Sequence, residues 1–136
     1  MAERQAVAVI IYMEKKIFIV DDDEFLLDMY AMKFRESGFD VEVASSGADA
    51  MDKIKNGLSP DVILLDVVMP GMDGFEFLKK TRSEHLVPQA LVVILTNLGQ
   101  KEDVERGLAL GAKDYVIKAR HTPSEIVGKV KAILGQ

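Results

Sequence analysis

The chain contains no cysteine among its 136 residues. That excludes a disulfide scaffold and any thiolate metal site, and it fits a reducing, cytoplasmic setting. Positive charge is not in excess either. The formal net charge is −5, which argues against nucleic acid as a direct ligand, because phosphate binding needs a concentrated positive surface. Long hydrophobic runs are missing too. The run Ala6–Met13 (AVAVIIYM) has eight residues, too few to cross a bilayer. Charged Glu14, Lys15 and Lys16 follow it where a signal peptide would carry small residues, so no membrane partner is expected. There is no internal repeat, low-complexity tract or interdomain linker. With 49% hydrophobic and 29% charged residues, the length fits a single globular domain with its own core.

Two kinds of apolar pattern alternate along the chain. Short β-branched runs at Ile17–Val20, Val41–Val43, Val62–Leu65, Leu91–Leu95 and Tyr115–Ile117 read as strands. Helical spacing lies between them. In the first helix Phe25, Met29 and Met32 share a face, with Leu27, Tyr30 and Phe34 beside them, which predicts a broad buried stripe ended by Gly38. Later helices are predicted over Ala48–Lys55, Gly74–Arg82, Lys101–Leu110 and Pro123–Leu134. The last begins with Thr122-Pro123-Ser124-Glu125, a capping box with proline at the first helical position. Five strand–helix alternations, with continuous apolar runs in strands 1, 3 and 4, predict a doubly wound parallel α/β sheet. Its ligands belong at the carboxyl ends of the strands.

The polar residues at those ends form a coherent set. Asp21 and Asp22 follow strand 1, Asp66 ends strand 3, Thr96 ends strand 4 and Lys118 ends strand 5. Clustered carboxylates without histidine or cysteine select a hard cation, and Mg²⁺ takes one or two of them plus waters. Asp21, Asp22 and one oxygen of Asp66 would hold it. The free oxygen of Asp66 could attack phosphorus, with Lys118 neutralising and the Thr96 hydroxyl bonding the transferred group. Taken singly, each residue has an ordinary explanation: Asp23 reads as a helix cap, Thr96 as a strand-end residue and Lys118 as a solvated lysine. Met69, Met72 and Phe75 read as packing, Pro70, Gly71 and Gly74 as turn residues, and His85 and His121 as surface positions without a catalytic role.

The motifs IFIVDDD, VILLDVVMPGMDGFEFL, VVILT and DYVIK, with Asp22, Asp66, Thr96 and Lys118 spaced 44, 30 and 22 residues apart, resemble the receiver domains of two-component response regulators. The likeness covers roughly residues 16 to 134. It implies a flavodoxin-like three-layer sandwich: a five-stranded parallel sheet in the order 2-1-3-4-5, flanked by five helices. Residues 14–136 would form the receiver domain, with residues 1–13 an N-terminal extension or the product of a misplaced start. The resemblance implies a phosphorylation-activated switch rather than an enzyme. Asp66 would accept a phosphoryl group from a sensor histidine kinase or phosphotransfer protein, with Mg²⁺ on Asp21, Asp22, Asp66 and the Val68 backbone carbonyl. Thr96, Lys118 and Asn97 would surround the phosphoryl group, and Tyr115 would be the switch aromatic. Phosphorylation would then alter the face of the fourth helix, fifth strand and fifth helix. An effector protein would dock there, and the same face is a candidate for homodimer formation.

This chain departs from the family pattern at several places. Ala119 follows Lys118 where the family has a cis-proline. A non-proline cis bond costs about 2.5–4 kcal/mol, so the loop is expected to be trans or strained. Asn97 stands where a smaller residue is common and is expected to narrow access. Val68 and Leu98 hold the two positions that govern access of hydrolytic water; both are apolar, which predicts a long-lived phosphoryl group. A Mg²⁺-dependent phosphohydrolase is a rival reading, but it would need an aspartate where Val68 stands. A pseudo-receiver binding module is another, and it would be expected to lack one of the acidic or lysine residues present here. The chain ends at Gln136, directly after the last predicted helix. Output is therefore expected through docking, unless the chain is a fragment.

Overall fold

The computed structural model describes residues 15–135; the proposed extension at residues 1–13 lies outside them. Five strands, β1 (Lys16–Val20), β2 (Asp40–Ala44), β3 (Val62–Leu65), β4 (Leu91–Thr96) and β5 (Asp114–Ile117), alternate with five helices. These are α1 (Glu24–Glu36), α2 (Gly47–Lys55), α3 (Gly74–Ser83), α4 (Lys101–Ala109) and α5 (Pro123–Ile133), with a short 3₁₀ turn at Lys118–Arg120. All strand pairings are parallel, in the order β2-β1-β3-β4-β5. The predicted architecture is the one observed.

Alternation within the three central strands builds both layers of the core. Phe18, Val20, Ile63, Leu65, Val92 and Ile94 face α2 and α3. Ile17, Ile19, Val62, Leu64, Val93 and Leu95 face α1 and α5. Strands with helices on both faces have no solvent side, so their sequences stay apolar throughout.

Helix α1 corrects one expectation. Leu27, Tyr30, Ala31 and Phe34 are buried, whereas Phe25 is 78% exposed and Met32 57% exposed. At 3.6 residues per turn, Phe25 and Met32 lie roughly half a turn from Leu27. They form a second apolar stripe facing away from the sheet, not a widening of the first. The helix ends as predicted. Gly38 adopts φ 95°, its N–H donates to the Arg35 carbonyl, and the Phe39 N–H donates to the Phe34 carbonyl. The Phe34 and Phe39 rings then meet edge to face at 5.2 Å, completing a Schellman motif with its hydrophobic contact.

Two glycines set close approaches. Gly74 opens α3 so near the end of β3 that an added Cβ would lie 2.2 Å from the Asp66 carbonyl oxygen. Gly107 is the one buried residue of α4, and a Cβ there would meet Ile94 at 2.7 Å and Tyr115 at 2.9 Å. Helix α4 has a second hold: the Arg106 guanidinium stacks over the Phe75 ring, 4.5 Å from its centroid.

Replacing Gly74 by Ala is expected to destabilise the fold by about 1–3 kcal/mol, the cost of overpacking against backbone that has nowhere to go. The urea midpoint of Gly74→Ala against wild type measures it. At α5 the predicted capping box is present, with Thr122 N–H donating to Glu125 Oε1 and Glu125 N–H donating to Thr122 Oγ1. The backbone bond from Thr122 holds the Glu125 carboxyl below its ordinary 4.5. Because the folded-state value is the lower one, this stabilisation is present above pH 4.5 and lost as pH falls through the folded-state value. The stability difference between wild type and Glu125→Gln should therefore shrink on acidification, read from denaturation curves at a series of pH values.

Candidate functional site

The ends of four strands, β1, β3, β4 and β5, deliver polar side chains to the same edge of the sheet. Asp21 follows β1, anchored by its N–H on the Ala44 carbonyl, and Asp66 follows β3, anchored by its N–H on the Val20 carbonyl. Asp21, Asp66 and Thr96 are buried, at 2%, 6% and 1% exposure, while Asp22 is exposed. Oxygens of Asp21, Asp22 and Asp66 all lie within 4.8 Å of one another. Asp23 stands apart from them as the cap of α1, accepting from the Leu26 N–H, as the sequence suggested.

Lys118 is the counter-charge. Its Nζ lies 2.6 Å from Asp21 Oδ2 and 3.0 Å from Asp66 Oδ2. The remaining Asp21 oxygen accepts from the Asp23 N–H at 3.0 Å, and Asp66 Oδ1 accepts from the Val68 N–H at 3.3 Å. Burial pushes the Asp21 carboxyl up, against the lowering effect of Lys118. Burial alone would lower the Lys118 ammonium, but its bond to Asp21 and the charge of Asp66 outweigh that and raise it. Three acidic side chains and one basic one make a formal surplus of two negative charges in a partly desolvated place. An all-oxygen donor set with that surplus fits a hard divalent cation.

Beside this cluster is an open cleft of about 520 Å³, bordered by Asp22, Asp66, Val68, Thr96, Asn97 and Lys118. Thr96 Oγ1 accepts from the Leu98 N–H at 3.3 Å, and the Tyr115 hydroxyl donates to the Leu98 carbonyl. Tyr115 is half-buried; burial, reinforced by the charge of Asp103, pushes its hydroxyl up to about 12. The cluster thus unites Asp21, Asp22, Asp66 and Lys118, with Thr96, Asn97 and Val68 around the cleft and Tyr115 one loop away.

Met69 and Phe75 are buried and Met72 packs on the same core, so all three are packing residues. His85 is exposed, but His121 is only partly so. Its Nδ1 is buried without a hydrogen-bond partner, 3.9 Å from Glu125. No peptide bond among the described residues is cis, so Lys118–Ala119 is trans. Sequence reasoning missed the bond from the Ala119 N–H to Asn97 Oδ1, 2.9 Å long, because contacts across 22 residues leave no local pattern. It also missed Gly107, for which a signal existed: a glycine inside a helix is costly unless something lies against it.

The chain matches the family model described as response regulator receiver domain over residues 17–131. It is 39% identical over 122 residues to the alkaline phosphatase synthesis transcriptional regulatory protein PhoP of Bacillus subtilis, covering 90% of this chain and 49% of that protein. It is 38% identical to the DNA-binding response regulator MtrA of Mycolicibacterium smegmatis, covering 90% of this chain and 51% of MtrA. Among solved structures, a CheY-like receiver domain protein from Methanospirillum hungatei superposes with a TM-score of 0.81 at 30% identity, over 89% of this chain and 94% of that one. The chain spans about half the length of the curated relatives it matches. A relative named as DNA-binding removes support for the expectation that nucleic acid plays no part, since the net charge bears only on the residues present here. No helix among the described residues is long and apolar enough to cross a membrane. Matched from β1 into α5, with the acids and the lysine of its motifs gathered at one sheet edge, the chain belongs to the receiver domains of two-component response regulators.

Proposed function

We propose that Asp66 is the phosphoacceptor of this receiver domain, and that Asp21, Asp22, Asp66 and the Val68 carbonyl hold Mg²⁺ beside it. The carrying observation is the gathering of three carboxylates at the mouth of an open cleft, two of them paired with one lysine. The phosphodonor is a histidine kinase or phosphotransfer protein. An Asp66 carboxylate oxygen attacks phosphorus as the nitrogen–phosphorus bond of the donor breaks and the electron pair returns to the imidazole. When bound, Mg²⁺ supplies charge neutralisation for the phosphoryl oxygens. Lys118 supplies the same from the other side, and the Thr96 hydroxyl donates to the attached group.

Tyr115 bonds the carbonyl two residues beyond Thr96, so a shift of that loop alters the tyrosine's hold and with it the face of α4, β5 and α5. Output passes through that face, onto a partner protein, a second copy or, in a longer protein like the relatives, the remainder of the same chain. The phosphohydrolase reading is disfavoured because Val68 has no proton to give or take, and the pseudo-receiver reading because no member of the acidic and lysine set is missing.

Intact mass after incubation with phosphoramidate and Mg²⁺ should show one added phosphoryl group. Its absence in Asp66→Asn, and in wild type treated with a chelator, is the expected control. Retention of the adduct in Asp66→Asn would place it elsewhere and end this reading. Val68, 60% exposed, and Leu98, packed on the core, carry apolar side chains with no atom to hydrogen-bond an attacking water. Radiolabel on Asp66 should accordingly decay slowly, and faster in Val68→Asn, which puts an amide at the same exposed place.

A further inference from the structure

We propose that Asn97 is a positioning residue: through the backbone amide of Ala119 it fixes the turn that aims Lys118 at Asp21 and Asp66. The inference rests on the phosphoacceptor reading of Asp66 and deepens it.

The 3₁₀ turn Lys118–Arg120 has only three residues and no side-chain cap from its own segment. Its internal bond, from the His121 N–H to the Lys118 carbonyl, is long at 3.3 Å. The early N–H groups of any helical turn lack partners within it. Here the Ala119 N–H is satisfied from the bend after β4, by Asn97 Oδ1 at 2.9 Å. An N–H only donates, so the facing atom of the Asn97 amide must be its oxygen, which fixes the orientation of that side chain. Asn97 therefore ties the end of β4 to the residue directly after Lys118.

The lysine needs such a hold. Its stem is flexible, while its ammonium must meet two carboxylates at 2.6 and 3.0 Å, and the backbone from which it springs decides whether both stay in reach. Asn97 follows Thr96 directly, so one short segment carries the hydroxyl of the cleft and the tether of its lysine.

The test compares wild type, Asn97→Ala and Asn97→Asp, the last keeping an acceptor oxygen. In wild type the Ala119 amide and the Lys118 ammonium should both be sheltered from solvent exchange in nuclear magnetic resonance spectra. Both should exchange faster in Asn97→Ala, and Asn97→Asp should restore both. With phosphoramidate at saturation, the maximal phosphorylation rate of Asn97→Ala should fall roughly two- to fivefold, the factor expected of one solvent-exposed hydrogen bond. Mg²⁺ affinity should not fall, because the carboxylates that set it are kept and the ammonium that competes for them is held less firmly. A rate that is unchanged or faster would mean that Asn97 merely narrows the cleft, and it overturns the proposal. So does a Lys118 signal that ignores the loss of the Ala119 bond. If wild type takes up no phosphoryl group, the phosphoacceptor reading fails, and the resonance measurements alone decide whether Asn97 aims the lysine.

Discussion

Two carboxylates, Asp21 and Asp66, are buried at the edge of a sheet whose central strands are otherwise apolar, and one ammonium lies against both. Either acid alone in that place would be strongly disfavoured, and losing the lysine would leave two like charges facing each other. The strand order explains why a lysine is needed. β5 stands two strands from β3 and three from β1, at about 4.8 Å per strand, so only a long stem crosses the gap. The strand between β3 and β5, β4, ends in a short threonine. Sheet order, side-chain length and charge are thus parts of one arrangement.

Most of this was legible in the sequence because it depends on strands. A strand buried on both faces cannot hide its apolar run, and its last residue marks the sheet edge, so Asp66 in VILLD and Thr96 in VVILT could be placed without coordinates. The capping box of α5 and the glycine that ends α1 were legible for a related reason, since both are local geometry written in adjacent residues. Periodicity misled at Phe25 and Met32, where apolar residues recur at helical spacing on the side facing away from the core. Hydrophobic pattern reports what a face is made of, not what covers it. The Asn97–Ala119 bond and the stacking of Arg106 on Phe75 were out of reach, because each joins segments whose proximity follows only from the folded sheet.

A chain of contacts runs from the acidic cluster to α4. Gly74 lies against the Asp66 carbonyl, Phe75 is the next residue, and its ring lies under Arg106 of α4. On the other side Tyr115 touches both the loop after Thr96 and the helix at Gly107. The helix is therefore in contact, through two separate routes, with the residues that border the cleft.

That helix shares little with the rest of the core. A segment whose single buried position is a glycine contributes almost no apolar side chain of its own to the interior, and what it lies against is Ile94, Tyr115 and the Phe75 ring. Its position is set by a guanidinium on a ring and by the close fit of one glycine rather than by side chains of its own in the core. Loosening α4 therefore disturbs fewer buried side chains of its own than loosening α1, which buries Leu27, Tyr30 and Phe34, or α5, which buries Ile126, Val127 and Val130.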